Sequence, residues 1–168
     1  NKIYGDNTDA GGFELALKHI KYNVENKKVF IIGAGGVVSS IIFTLKKMGA
    51  AEIFLSNRSK EKVIELKKIY SDLKIVDWGN FVDFDMIINA TSLGLKKTDK
   101  IEIDLSKVGS GKMFFDVIYN PPKTNFLTRG EGLGNKIENG KMMFIYQAQL
   151  SFEIWNNILP KVNDRLLD

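Results

Sequence analysis

The sequence predicts an α/β fold, a mostly parallel sheet flanked by helices. Two observations carry this. From about residue 28 onward, short apolar runs alternate with segments of helical periodicity, the pattern of a βαβ series. With 168 residues, 44% of them hydrophobic, the chain can bury one sizeable core, so one domain or one and a piece is expected.

The elements follow in order. Residues 9–22 (DAGGFELALKHIKY) form an amphipathic helix. Lys28 to Ile32 (KVFII) is a buried strand running into Gly33, and residues 37–48 form a helix stopped by Gly49. Glu52 to Ser56 is the second strand, and Ser59 caps a helix through about Tyr70. Leu73 to Asp77, Asp85 to Ala90 and Lys112 to Tyr119 read as the third, fourth and fifth strands of a sheet of about five or six. Residues 141–159 form a long helix ended by Pro160, apolar over much of its circumference and so in need of a cover. Organisation follows the same lines: 1–24 as a hinge segment and connecting helix, 25–140 as the sheet domain, 141–168 as a returning helix.

Composition narrows the chemistry. Against 20 Asp plus Glu stand 24 Lys plus Arg, spread along the chain, so no basic patch for nucleic acid is indicated. Zero cysteines remove disulfides, thiolate nucleophiles and Cys-ligated metals, and one histidine leaves no credible metal site. No apolar run approaches the ~20 residues of a membrane-spanning helix and no signal-peptide pattern opens the chain, which reads as soluble and cytoplasmic. The chain starts at Asn1 without a methionine and enters a patterned segment at once, as a piece of a longer protein would.

Gly33-Ala34-Gly35-Gly36 lies between a strand and a helix, the context in which glycines let the backbone turn sharply and approach a pyrophosphate held by amides at the helix N-terminus. This is the Rossmann-like arrangement. The sixth position of the usual GxGxxG pattern is Val38, a departure that touches helix–strand packing more than phosphate contact. A tight turn without a ligand is the competing reading. Where an NAD-binding version carries an acidic residue after the second strand, this chain has Asn57-Arg58-Ser59-Lys60-Glu61-Lys62. Arg58 can grip a 2′-phosphate with its planar fork and Lys62 can add a second cation, so the chemistry favours NADP. The bland alternative is a solvated, lysine-rich helix start.

Other segments carry more polar chemistry than a fold requires. Asn7-Thr8-Asp9 precedes the first helix, where Thr8 or Asp9 could simply cap it. Asn89-Ala90-Thr91-Ser92-Leu93-Gly94 lies at the end of the fourth strand, at the edge where open α/β sheets bind ligands, or is an ordinary strand exit. Tyr119 is either core packing or a hydroxyl aimed into a cleft, and Gln147, on an otherwise apolar helix stretch, needs a hydrogen-bonding partner.

Together, Asn7-Thr8-Asp9, Gly33 to Gly36, Asn57-Arg58-Ser59, Asn89 to Ser92, Asp116-Val117-Ile118-Tyr119-Asn120-Pro121 and Gly140-Lys141-Met142-Met143 with Gln147-Ala148 resemble the shikimate dehydrogenase family in order and spacing, over nearly the whole chain. The resemblance implies NADP-dependent reduction of 3-dehydroshikimate to shikimate in aromatic biosynthesis, with substrate held between two domains. It also implies that an N-terminal domain, supplying a catalytic lysine and carboxylate-binding serines, has no counterpart in this sequence. By the same resemblance Asp9 is the catalytic aspartate that works beside that lysine. Asn7, Thr8, Tyr119 and Gln147 face the substrate. The cofactor falls to Gly33, Ala34, Gly35, Gly36, Asn57, Arg58, Ser59, Lys62, Asn89, Ala90, Thr91, Ser92, Gly140 and Met143. Lys62 stands where many relatives have arginine, which keeps charge but gives up bidentate geometry. Competing readings are a quinate/shikimate dehydrogenase with relaxed cofactor choice and a noncatalytic NADP-binding module.

Overall fold

A computed structural model describes residues 2–163. Among these, six strands form one sheet in the order β3-β2-β1-β4-β5-β6, with every neighbouring pair parallel. In chain order the elements are α1 (Asp9–His19), β1 (Lys28–Ile32), α2 (Gly36–Lys47), β2 (Glu52–Ser56), α3 (Lys60–Ile69), β3 (Lys74–Ile75), β4 (Met86–Asn89), β5 (Met113–Asp116), α4 (Asn125–Gly132), β6 (Lys136–Glu138) and α5 (Lys141–Asn156). After β3 the chain crosses back to place β4 beside β1, so the strand order reverses between β1 and β4, which opens a crevice at their carboxyl ends.

Alternation along the strands divides the core in two. Val29, Ile31, Leu55, Ile88 and Phe115 face α1, α2 and the start of α5, joined there by Phe13, Leu17, Ile41 and Met143. Phe30, Ile32, Ile87 and Phe114 face the other way, against α4 and an irregular stretch contributing Phe84, Ile101, Ile103 and Leu105. The first face carries α1 and α5 as part of the sheet's own packing. Between these two helices the backbones nearly touch: a Cβ on Gly12 would stand 2.8 Å from both the Gln147 amide and the Met143 carbonyl.

Several expected boundaries shift, each for a local reason. The first helix ends at His19 rather than 22 because Lys21 takes a left-handed conformation (φ 54°) and the Tyr22 amide turns back to the Leu17 carbonyl. The last helix ends at Asn156, before Pro160, because Asn157 adopts the left-handed cap (φ 53°) and donates to Glu153. The third strand is only two residues of exposed edge. The fifth stops at Asp116, whose side chain accepts the Ile118 amide and folds the chain over, so Tyr119 lies beyond it. Ser59 and Thr8 occupy N-cap positions but make no capping hydrogen bond. Helix α4 and strand β6 have no counterpart among the sequence expectations. Residues 164–168 of the expected returning segment lie outside the described residues.

Candidate functional site

Two clefts open along the carboxyl edge of the sheet, on either side of the first turn of α2. The first, of about 290 Å³, is lined by Gly33, Ala34 and Gly35 after β1, Asn57, Arg58, Ser59 and Lys62 after β2, and Ala90, Thr91 and Ser92 after β4, together with Trp78 and Leu93. Three separate loops, dispersed in sequence, meet here because β1, β2 and β4 are adjacent in the sheet.

Gly33 is demanded by this geometry. Its φ is +110°, and a Cβ there would stand 2.6 Å from the Ala90 carbonyl oxygen, held in place by the Ala90 amide donating to Ile32. Gly36 differs: a Cβ on it would meet nothing within 4 Å, leaving open space at the start of α2. Here the Gly36 and Val37 amides have no backbone acceptor among the described residues, while the Val38 amide turns back to the Gly35 carbonyl at 3.0 Å. No capping side chain closes that end, since the N-cap is Gly35. Arg58 and Lys62 are exposed, and neither has an ion-pair partner among the described residues. Among the described residues no carboxylate lines the cleft.

The second cleft, of about 330 Å³, is lined by Asp9, Val37, Val117, Tyr119, Gly140, Met143, Phe144 and Gln147. Tyr119 is not core packing: it is 45% exposed, with its ring stacked on Phe144 at 4.7 Å between centroids. Gly140 lets the entry to α5 pass close to the end of β5, since a Cβ would fall 2.0 Å from the Val117 carbonyl oxygen. Gln147 accepts a hydrogen bond of 3.4 Å from Thr8 Oγ1, which also lies 2.9 Å from Ser151 Oγ. Asn7 Oδ1 accepts from the Asp9 amide at 3.0 Å and from Ser40 Oγ at 3.2 Å. Capping is therefore not the work of Thr8, and Asp9 stands at the head of α1, among the residues that line the cleft.

Four expected site residues line neither cleft: Gly36 in the first turn of α2, Asn7 and Thr8 just before α1, and Asn89. Asn89 is fully buried and lines neither cleft: its amide donates to Leu93 O and Asp116 Oδ1, and its oxygen accepts from the amide and hydroxyl of Thr91. Every polar atom of its side chain is used inside the protein, behind the wall that Thr91 presents. Sequence reasoning gave no role to Leu93 and Val117, which fell inside segments it singled out, and overlooked Trp78, Val37 and Phe144 as lining residues. Apolar residues in loops carry no spacing signal. It included Asp116 in a motif but gave it no role of its own, although an acidic residue inside the apolar run MFFDVIY was a visible anomaly.

Comparison with known proteins now decides the family. The sequence model described as Shikimate / quinate 5-dehydrogenase matches residues 14–122. The chain belongs to that family. The NADP(+) shikimate dehydrogenase of Pelagibacter ubique is 55% identical over 168 residues, covering 100% of this chain and 63% of that protein. Shikimate dehydrogenase from Aquifex aeolicus superposes with a TM-score of 0.85 at 32% identity, over 98% of this chain and 62% of that one. The Thermus thermophilus enzyme, solved with NADP(H) and shikimate, gives a TM-score of 0.83 at 28% identity, over 94% of this chain and 59% of that one. The shikimate dehydrogenase family chain described here thus spans about 63% of the length of the Pelagibacter relative. Among its described residues no helix is long and apolar enough to cross a membrane, and no group of three or more His, Asp or Glu could hold a metal ion.

Proposed function

We propose that this chain is the NADP-binding part of an enzyme that reduces 3-dehydroshikimate to shikimate. The observation that carries the reading is the first cleft: a carboxylate-free pocket with two unpaired cations at one end and a glycine-walled helix N-terminus at the other. A dinucleotide bearing a 2′-phosphate fits both. Arg58 and Lys62 would hold that phosphate, and the free amides of α2 would hold the pyrophosphate. Thr91 and Ser92 would meet the ribose beyond it. Gly140 and Met143, in the second cleft, would flank the nicotinamide.

When bound, the cofactor supplies the hydride. The chain's own residues supply orientation and part of the proton route. Asp9 would hold the negative charge that keeps a lysine partner from the rest of the protein protonated and poised at the substrate oxygen. Gln147 and Tyr119 would orient the substrate hydroxyls. The rest of the protein would dock on the apolar surface left by α5 and the residues before α1, where Trp155 is 79% and Tyr4 86% exposed. Segments 1–24 and 141–168 would be the two crossings to it.

Titration of the chain with NADPH and NADH, followed by nicotinamide fluorescence, tests the reading. One charge-assisted contact contributes roughly 1.5–3 kcal/mol, so NADPH should bind about ten- to a hundredfold tighter. Arg58→Ala should erase most of that preference. Equal affinities, or a preference that survives the substitution, would remove NADP from the account. The chain alone should show negligible shikimate oxidation, because proximity and proton transfer each contribute orders of magnitude.

A further inference from the structure

Behind both clefts lies one buried carboxylate. Asp116 ends β5 with its side chain fully buried. Its Oδ1 accepts from Asn89 Nδ2 and from the Ile118 amide, each at 3.0 Å, and its Oδ2 accepts from Thr124 Oγ1 at 2.6 Å. Thr124 in turn caps α4 by accepting the Leu127 amide at 3.3 Å. Asn89 passes the connection on: its Oδ1 takes the amide of Thr91 at 3.1 Å and the Thr91 hydroxyl at 2.7 Å, and Thr91 Oγ1 accepts the Leu93 amide at 3.0 Å. Thr91 and Leu93 line the first cleft; Val117 and Tyr119, on either side of Ile118, line the second.

We propose that Asp116 is a positioning residue that sets the walls of both clefts from a single point, through Asn89 to Thr91 and Leu93 on one side and through the Ile118 amide to Val117 and Tyr119 on the other. A fold requires none of this. A buried carboxylate is costly, burial raises its pKa above the usual value, and an apolar residue at a strand end would pack without that penalty. What the carboxylate provides is several acceptor sites that converge on one side chain. Three donors from β4, the loop after β5 and the α4 cap meet there, so the two walls share one anchor and cannot shift independently. Its consequence for cofactor affinity rests on the NADP reading above; the geometric part does not.

Amide hydrogen exchange on the chain without ligand tests the geometric part. In Asp116→Ala, exchange at Thr91, Leu93 and Ile118 should rise together by about tenfold or more while the amides of β1 keep their protection, and Asp116→Asn, which retains Oδ1, should restore it. Uniform loss of protection, or a rise at Ile118 with Thr91 and Leu93 unchanged, would reduce Asp116 to an ordinary part of the core. Should Asp116→Ala fail to fold, Asn89→Ala must release Thr91 and Leu93 but not Ile118, and an unchanged Thr91 overturns the relay. NADPH titration then separates the two readings. If the unsubstituted chain binds NADPH, Asp116→Ala and Thr91→Val should each weaken it by about tenfold, with the double variant no weaker than either. Losses that multiply would refute the relay while leaving NADP binding intact; a chain that ignores NADPH yet shows the paired exchange would refute only the cofactor.

Discussion

Alanine at Gly33 and alanine at Gly36, three residues apart in one turn, should have opposite consequences for the fold. At Gly33 the new Cβ meets backbone: the Ala90 oxygen at 2.6 Å, the Ala90 carbonyl carbon at 2.8 Å and Thr91 Cγ2 at 3.0 Å. A φ of +110° adds conformational strain of roughly 1–3 kcal/mol for any residue with a side chain. Relief requires β1 and β4 to part where the Ala90 amide donates to Ile32 at 2.8 Å, a bond contributing about 1 kcal/mol. The sum is about 2–4 kcal/mol, a large share of a domain's 5–15 kcal/mol total stability, by these order-of-magnitude values. At Gly36 the Cβ points into open space and alanine is the better helix former, so stability should hold or rise by up to about 1 kcal/mol. If a pyrophosphate sits on the start of α2, that same methyl occupies its place and NADPH affinity should fall at least tenfold in a fully folded Gly36→Ala chain. Urea denaturation and NADPH titration of both variants read the two effects separately. A Gly33→Ala chain within about 0.5 kcal/mol of the parent would refute the steric reasoning, which puts its cost well beyond the spread of ordinary surface substitutions.

Glu14 pairs with Lys18 and Lys47, each at 2.7 Å, joining α1 to α2. The Lys18 hydrogen bond, then that of Lys47, lowers its pKa below the usual 4.5, so its contribution is complete above that value and lost as pH falls through the lower, folded-state one. Glu14→Gln should cost about 0.5–1 kcal/mol at neutral pH, since both lysines are more than half exposed and screened, and should flatten the acid side of the stability profile, as read by urea midpoints at several pH values. Trp78 lines the first cleft whereas Trp155 does not; a Trp155→Phe chain should therefore retain strong quenching of tryptophan emission on NADPH binding, and a Trp78→Phe chain should lose most of it. In the complete protein, Asp9→Asn should leave the melting temperature unchanged, because the Asp9 side chain caps nothing, and should slow turnover by roughly 10²–10⁴. Near-normal turnover would refute the proton role proposed for Asp9.

Strands β1 and β2 were legible to the residue, since KVFII and EIFLS are buried apolar runs bounded by a glycine turn and a polar exit. Helix α4 (NFLTRGEG) was not, because two glycines and a mean polarity hide a helix held mainly by Phe126 and Leu127 beneath Phe114. Strand β6 is three residues long and offers no periodicity to read. The site motifs were visible because turns and strand ends concentrate glycine, asparagine and hydroxyl residues. Which of those face a ligand was not visible: Asn89 and Thr91 stand two apart, yet one is buried behind the wall and the other is part of it.

That separation has a physical basis. Adjacent parallel strands end side by side, and each end leaves polar backbone that must be satisfied at the edge where the crevice opens. A side chain pointing back between the strands, as Asn89 and Asp116 do, satisfies its neighbours and becomes unavailable to a ligand. A residue at the opening, as Thr91 and Tyr119 are, becomes cleft wall even where its hydroxyl is tied inward, as that of Thr91 is to Asn89, and its position is only as well defined as the groups behind it. In this chain the inward set is one connected group, Asn89, Asp116 and Thr124, drawn from β4, β5 and the α4 cap. The outward set is divided between two clefts by the first turn of α2, with Gly35 on one side and Val37 on the other. A ligand long enough to touch both clefts must cross that helix N-terminus, where free amides favour negative charge, and this is why a dinucleotide, with its pyrophosphate between two end groups, matches the edge better than two separate small molecules would.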